Sequence, residues 1–455
     1  MSLKPYPEYK DSGQQWLGEI PSHWKIVPLW TLFRRTKTLG TGSEILLSVY
    51  RDYGVVPKKS RNDNFNKASE DLSKYQLVGV GDLVINKMKA WQGSVAISEL
   101  SGIVSPAYFV FKALSHIHSR FAHFLMRSTP YSNRYAAISS GVRPNQWDLD
   151  PAQHRATPIL LPPPHEQQDI ADYLDRETAE IDAFIADQEQ LIALLVERRT
   201  ATITQAVARG LHPDVRMVAG RLAEIGSVPI HWSVSRLKWG ITKIESGTSV
   251  NAHDIPVKGT DEVGVLKTSC VYTGEFDPSK NKKVNVEDLH RVACPVQANT
   301  LIVSRMNTPQ LVGAAGYVVR NEPNIYLPDR LWQVYFHESW EARFVHFWTQ
   351  TRLYRAQVEA VCMGTSSSMQ NIGQDDLRNF ILHLPPKDEQ REIVDYLKSA
   401  TSDIDAAIAD AREAIALSQE RRAAVISAAV TGKIDVRGFV GPEANDVEVV
   451  SVGIA

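Results

Sequence analysis

One stretch of this chain occurs twice, and it fixes most of what the chain can fold into. From Leu161 it reads LPPPHEQQDIADYLDRETAEIDAFIADQEQLIALLVERR, and from Leu384 it reads LPPKDEQREIVDYLKSATSDIDAAIADAREAIALSQERR. Glu166-Gln167 matches Glu389-Gln390, Ile181-Asp182 matches Ile404-Asp405, and Glu197-Arg198-Arg199 matches Glu420-Arg421-Arg422. The offset is 223 throughout (389 − 166; 420 − 197), so neither copy gains or loses a residue.

Each copy reads as one long helix. Its Pro-rich entry ends the preceding segment, and proline is tolerated at a helix start. Apolar residues then recur at threes and fours: Ile170, Leu174, Ile181, Phe184, Leu191 and Leu195 in the first copy. Ile393, Leu397, Ile404, Ala407, Ile408 and Ile415 hold the matching face of the second. A seam kept over several heptads calls for a coiled-coil partner, and the simplest partner is the other copy. About 40 helical residues make a rod of roughly 60 Å.

Around the helices lie two longer globular segments that also share a skeleton. Ile20 to Trp24 (IPSHW) returns as Val228 to Trp232 (VPIHW), at an offset of 208, so the second globular segment is 15 residues longer (223 − 208). Leu83 to Met88 (LVINKM) aligns with Leu301 to Met306 (LIVSRM), a short buried-strand pattern ending in polar and basic residues. Arg120 to Phe124 (RFAHF) aligns with Arg343 to Phe347 (RFVHF), and these aromatics are expected to pack a core. A loop follows in each head, near Gly141 and Gly364.

The expected organisation is α+β: two mixed α/β heads separated by two long antiparallel helices that form an intramolecular coiled coil, with an internal pseudo-twofold repeat. The boundaries read from the sequence are an opening segment 1–24, a first head 25–157, a central helix 158–209 and a connector 210–232. A second head 233–380, a distal helix 381–437 and a disordered tail 438–455 complete the chain.

The formal net charge of −2 hides a strong asymmetry. Residues 25–157 hold 18 Lys and Arg against 9 Asp and Glu, a net of +9, whereas 158–209 hold 4 against 10, a net of −6. Residues 233–380 hold 16 against 15. A basic head on acidic helices points to a polyanion partner. No apolar run approaches a membrane span, and the opening MSLKPYPEYKD has no signal-peptide core. Three cysteines without a CxxC pair fit a reducing cytoplasm.

The usual catalytic signatures are missing. The sequence has no P-loop, no HExxH and no [DNS]PP[YF] tetrapeptide of the amino-methyltransferases. His116 and His118 read as a solvated turn, and Glu8-Tyr9-Lys10 lacks the upstream acid of a nuclease motif. The chain reads as non-catalytic.

Taken in order, these pieces resemble the specificity (S) subunit of type I restriction–modification systems. The pieces that carry the resemblance are Asp11-Ser12-Gly13, Trp16 to Pro21 (WLGEIP) with His23-Trp24, and Gly81 to Met88. Both PPxxEQ helix entries and both Glu-Arg-Arg helix ends add to them. The second half departs from the pattern at Leu222 to Ile225, and its head is nearly neutral. The resemblance implies two target-recognition domains, each reading half of a split, asymmetric site on double-stranded DNA, with helices that set the gap and dock two methyltransferase (M) subunits. S-adenosylmethionine would sit on the M subunits, and ATP and magnesium on restriction (R) subunits, with no cofactor on this chain. Half-sites read from one face of B-DNA lie about 34 Å apart, within reach of the rod. Two other readings stand beside it: a self-sufficient DNA-modifying enzyme with diverged motifs, and a coiled-coil tether for protein partners.

Bases are read by Lys and Arg at guanine and by Asn and Gln at adenine. On that chemistry the candidate readers in the first head are Asn86, Lys87, Lys89, Arg143, Asn145 and Gln146. In the second head they are Ser304, Arg305, Asn307, Gln310, Arg330, Ser367 and Gln370. Glu166-Gln167 and Glu389-Gln390 are expected to cap their own helices.

Overall fold

The computed structural model describes residues 4–439 apart from 52, 61–68, 70, 115–116, 142–146, 221–225, 258, 260 and 367–368. The chain divides into two units, one of Met1–Gln188 with Glu413–Ala455 and one of Glu189–Arg412. The two long helices run over Pro164–Arg209 and Lys387–Val430, and each contributes one half to each unit.

In unit 1 the first half of the central helix shares a core with the last half of the distal helix. Ile170, Ala171 and Leu174 pack there with Ile426, Ala429 and Val430. In unit 2 the halves exchange roles: Ile203, Ala206 and Val207 share a core with Ile393, Val394 and Leu397. The helices are therefore antiparallel and form the expected coiled coil. Its seam departs from the sequence reading in one respect. Positions 181, 185, 188, 192, 195 and 199 are the covered ones, spaced four and three, while Phe184 and Leu191 are exposed. Ile185 and Ile192 take the places assigned to them, because one residue along a helix turns a side chain by about 100°.

The charged pairs of the repeat meet within each unit. Arg422 holds Asp182 with two hydrogen bonds, Nε–Oδ1 2.8 Å and Nη2–Oδ2 3.1 Å. Arg199, its counterpart at the 223 offset, holds Asp405 through Nε at 2.9 Å. Half-exposed pairs of this kind contribute about 0–1 kcal/mol. They select register more than they add stability.

Each head is built on a four-stranded antiparallel sheet with the same strand order. In unit 1 the order is Phe33–Thr36, Tyr108–Ala113, Leu83–Asn86, Val95–Ile97. In unit 2 it is Ile241–Ser246, Leu331–Phe336, Leu301–Ser304, Ala315–Tyr317. The aligned LVI and LIV strands are buried on both faces. Leu83 and Ile85 face the main core and Val84 a second one; Leu301 and Val303 face one core and Ile302 another. That is why the sequence reads as a continuous apolar run there rather than as an alternation.

Among the described residues three short helices follow in each head. They start at Ser119, Thr129 and Pro151 in unit 1 and at Ala342, Arg352 and Gln374 in unit 2, every pair 223 apart. Phe121, Phe124, Phe344 and Phe347 are buried, as the core reading required. The added residues of the second head fall in two places. Ten lie before the aligned strand (303 − 85 = 218; 218 − 208 = 10) and five after it (223 − 218). Unit 2 uses this region for a five-stranded sheet in which Gly264–Leu266 runs parallel to Glu322–Tyr326.

The junction of head and helix is a buried carboxylate. Glu166 accepts hydrogen bonds from Trp24 Nε1 (2.9 Å), His23 Nε2 (2.6 Å) and the Tyr6 hydroxyl (3.2 Å). Glu389 accepts from Trp232 Nε1 (3.0 Å) and His231 Nε2 (2.7 Å). The neighbouring glutamines reach the other way. Gln167 donates to Pro162 O (2.9 Å) and accepts from the His118 N–H (2.8 Å), the residue that opens the helix Ser119–Arg127. Gln390 does the same with Pro385 O (2.9 Å) and the Glu341 N–H (2.7 Å). The capping expectation is thus replaced. The Glu-Gln pair fastens the long helix to the His-Trp motif and to the first turn of a head helix.

Both long helices stop at a left-handed residue, Gly210 (φ +73°) and Gly432 (φ +71°). A Cβ on Gly432 would come within 2.4 Å of Pro21. Glycine there serves both the helix end and the close approach. Gly438 and Phe439, placed in the tail from sequence, are described, and the Phe439 ring packs edge-on to Tyr173 at 5.1 Å; residues 440–455 lie outside the described residues. Among the described residues no helix is long and apolar enough to cross a membrane.

Replacing Glu166 by Ala leaves a buried indole N–H and a buried phenol without an acceptor, at about 1–3 kcal/mol each. Glu166→Ala is expected to destabilise unit 1 by about 2–6 kcal/mol, and Glu166→Gln, which keeps one acceptor oxygen, by less. Urea unfolding with hydrogen exchange at residues 20–24 as the local readout measures both.

Candidate nucleic-acid interface

The candidate readers of each head lie where three segments are tied together through the backbone. In unit 1 the buried strand Leu83–Asn86 ends and the chain turns through Lys87, whose N–H donates to Ala107 O (3.2 Å) while its carbonyl accepts from the Leu149 N–H (3.0 Å). Ser139–Ser140 pairs with Asp148–Leu149, so the loop between these strands is closed at its base beside Lys87. Unit 2 repeats both of the backbone bonds made by Lys87. Arg305 N–H donates to Arg330 O (3.1 Å), and Arg305 O accepts from the Ile372 N–H (3.0 Å). Ala107 and Arg330, and Leu149 and Ile372, are each 223 apart. A rigid strand end thus presents a turn and a hairpin whose side chains are free to differ between heads.

The side chains at this rim sort by burial and by partner. Lys89 is exposed and Lys87 half-buried, and neither takes an ion pair among the described residues. Asn86 holds the turn, its Oδ1 accepting from the Met88 N–H (3.2 Å). Gln310 and Arg330 are exposed. Arg305 is half-buried, with Nε donating to Asp329 O (2.7 Å). Gln370 sits on the strand Met369–Asn371 directly across from Asn307. Arg143, Asn145, Gln146 and Ser367 lie outside the described residues.

Two candidates need correction. Ser304 is fully buried, and its hydroxyl accepts from the Asn307 amide (3.2 Å). Asn307 is itself buried and bonded to the Tyr272 hydroxyl (3.0 Å). Side chains sealed in this way cannot meet a base edge without opening the rim. Their chemistry is positional: they hold the turn that carries Arg305.

Sequence reasoning missed the aromatics of the rim. Tyr272 meets Asn307, and Trp91 packs against Trp147 with ring centroids 5.1 Å apart. Tyr272 falls in the second head's added region, where the repeat gives no alignment to point at it. The two tryptophans are 56 residues apart (147 − 91), with no spacing that announces contact.

Behind the unit 1 rim, the helix Pro151–Arg155 carries His154 into the core against Phe111 (5.5 Å) and Tyr135 (5.7 Å). Neither ring nitrogen finds a hydrogen-bond partner among the described residues. Burial alone pushes its pKa down to about 4. His123 is lowered to about 4 as well, by burial first and then by the Arg127 charge. Burial also raises the Asp82 carboxyl, against the pull of the Gly79 N–H.

The comparisons with known proteins agree with this architecture. Residues 229–413 match the family model described as the type I restriction modification DNA specificity domain. The chain is 23% identical over 403 residues to the type I restriction enzyme EcoKI specificity subunit of Escherichia coli K12, covering 83% of this chain and 82% of that protein. It is 25% identical over 174 residues to the EcoEI specificity subunit of E. coli, which covers 38% of this chain and 29% of that protein. A solved chain described under complex assembly and conformational transition of the type I R-M system matches with a TM-score of 0.59 at 17% identity, over 90% of this chain and 98% of that one.

The His154 ring binds its proton far more weakly in the folded head than in the unfolded chain, so stability is complete above pH 6.5 and is lost as pH falls toward 4. Between pH 7 and pH 5 this one group accounts for about 2 kcal/mol. His154→Phe is expected to flatten that part of the stability-versus-pH curve, read from urea midpoints at the two pH values.

Proposed function

We infer that this chain, a specificity subunit of the type I restriction–modification family, is the DNA-reading member of its complex and leaves the chemistry to partners. The observation that carries the reading is the duplicated rim. The same backbone frame occurs once in each unit, with Asn86, Lys87 and Lys89 on one and Arg305, Gln310, Arg330 and Gln370 on the other. Frames that share the same backbone ties but carry different side chains suit two half-sites of different sequence, and hence an asymmetric, bipartite target on double-stranded DNA.

The division of labour follows from charge and chemistry. Lys and Arg side chains at the rim supply phosphate contacts, which position, and base contacts, which specify. Arg143, Asn145, Gln146 and Ser367 remain proposed readers on sequence grounds. Unit 1, whose head has a net charge of +9, supplies most of the non-specific, salt-dependent attraction. The helices set the gap and dock two methyltransferase subunits, which hold S-adenosylmethionine and methylate adenine. Restriction subunits using ATP and magnesium cleave unmodified DNA. The complex works in the cytoplasm.

Lys87→Ala is expected to weaken target binding by about 1–3 kcal/mol if Lys87 takes a guanine bidentately, and to relax preference in one half-site only. Arg330→Ala should do the same for the other half. Competition binding of the methyltransferase complex to duplexes mutated in one half at a time checks both. Loss of preference in both halves from one substitution would contradict independent reading.

A further inference from the structure

A cavity of about 300 Å³ opens in unit 1 beside the central helix, lined by Arg120, His123, Phe124, Asp175, Thr178, Ala179, Asp182 and Arg422. Every lining residue has a counterpart in unit 2 at the 223 offset, and six of the eight are unchanged; Asp175 becomes Lys398 and Ala179 becomes Ser402.

The counterpart in unit 2 already has an occupant. The Gly274-Glu275 turn, in the region where the second head is longer, lies against these residues. Gly274 O accepts from His346 Nε2 (2.6 Å) and Gln350 Nε2 (3.3 Å). Glu275 Oε1 takes Arg199 Nη2 at 3.2 Å, and Arg199 Nη1 donates to Gln350 Oε1 (2.7 Å). The guanidinium of Arg199 is thereby spent on all three nitrogens, and its side chain is 18% exposed.

In unit 1 the same guanidinium is incomplete. Arg422 gives Nε and Nη2 to Asp182, while Nη1 has no partner among the described residues. Its side chain is 35% exposed. Where unit 2 has the neutral Gln350, unit 1 has Arg127, which adds a positive charge beside His123.

We propose that the unit 1 cavity receives a carboxylate presented by a loop of a methyltransferase subunit, which meets Arg422 as Glu275 meets Arg199 inside unit 2. The identity of the partner rests on the function inferred above. The chemistry rests on the internal counterpart, a glutamate that meets the guanidinium. The histidine does not share in it, because His123 Nε2 already accepts from Arg127 Nη1 (2.7 Å) and that nitrogen takes no carbonyl. An intramolecular plug in one unit and an open receptor in the other make the two docking faces of the chain inequivalent.

The test is calorimetric titration of the full chain with its methyltransferase subunit. Ala179→Trp places an indole at the mouth of the cavity from an exposed helix position. Ser402→Trp places the same bulk at the matching position of unit 2. Ala179→Trp is expected to weaken binding by at least tenfold and Ser402→Trp by less than twofold, with circular dichroism melts unchanged in both. Unaltered binding by Ala179→Trp overturns the proposal. Equal weakening by both variants overturns it too, since bulk on the helices would then be the cause. Absence of binding by the unsubstituted chain removes the underlying functional reading, which is a separate failure.

Discussion

A carboxylate placed in a protein interior has to be satisfied by donors; the first turn of the central helix buries one, and that of the distal helix half-buries its counterpart. Glu166 takes an indole, an imidazole and a phenol, and Glu389 an indole and an imidazole. Leaving such a group short of partners costs several kcal/mol, which is more than the surface ion pairs along the helices contribute. The position of the head's opening segment on its helix is therefore dictated here. The paired glutamine extends the same constraint to the helix at Ser119 or Ala342. Once those two attachments are made, the buried strand, the rim turn and the hairpin follow within one continuous core.

The duplicated helix was legible because its repeat is free of insertions, and an amphipathic period held over about forty residues is satisfied by little except a long helix. The buried strands at Leu83 and Leu301 were legible for a similar reason, since two covered faces leave a plain apolar run. The seam was misplaced by one residue at Phe184 and Leu191, where Ile185 and Ile192 compete with them in an apolar stretch. Periodicity chooses poorly between adjacent hydrophobes. The role of the Glu-Gln entry was hidden because its partners in the head, with His118 and Tyr6 at the extremes, are 49 to 160 residues away. Local capping rules see only neighbours in sequence.

At the rim, residue type gathered candidates around one turn and could not rank them by burial. Ser304 and Asn307 have the polarity of base readers, yet the strand pairing that brings Asn307 opposite Gln370 also seals them in. Lys89 and Arg330, from the same motifs, stay exposed. A frame fixed by backbone hydrogen bonds lets the exposed positions change without disturbing the fold. This is the property a reader of varied targets needs. The second head's added residues show the same tolerance on a larger scale, building a five-stranded sheet and a turn that fills its own helix-side recess.

The central claim is that this chain selects DNA and its partners modify it. The most direct test is a map of N6-methyladenine on unmodified genomic DNA after incubation with S-adenosylmethionine, with and without the methyltransferase subunit. The account predicts methylation only when the partner is present, at one split motif with a fixed gap. Methylation by this chain alone, or by the complex at sites without a common motif, would contradict it.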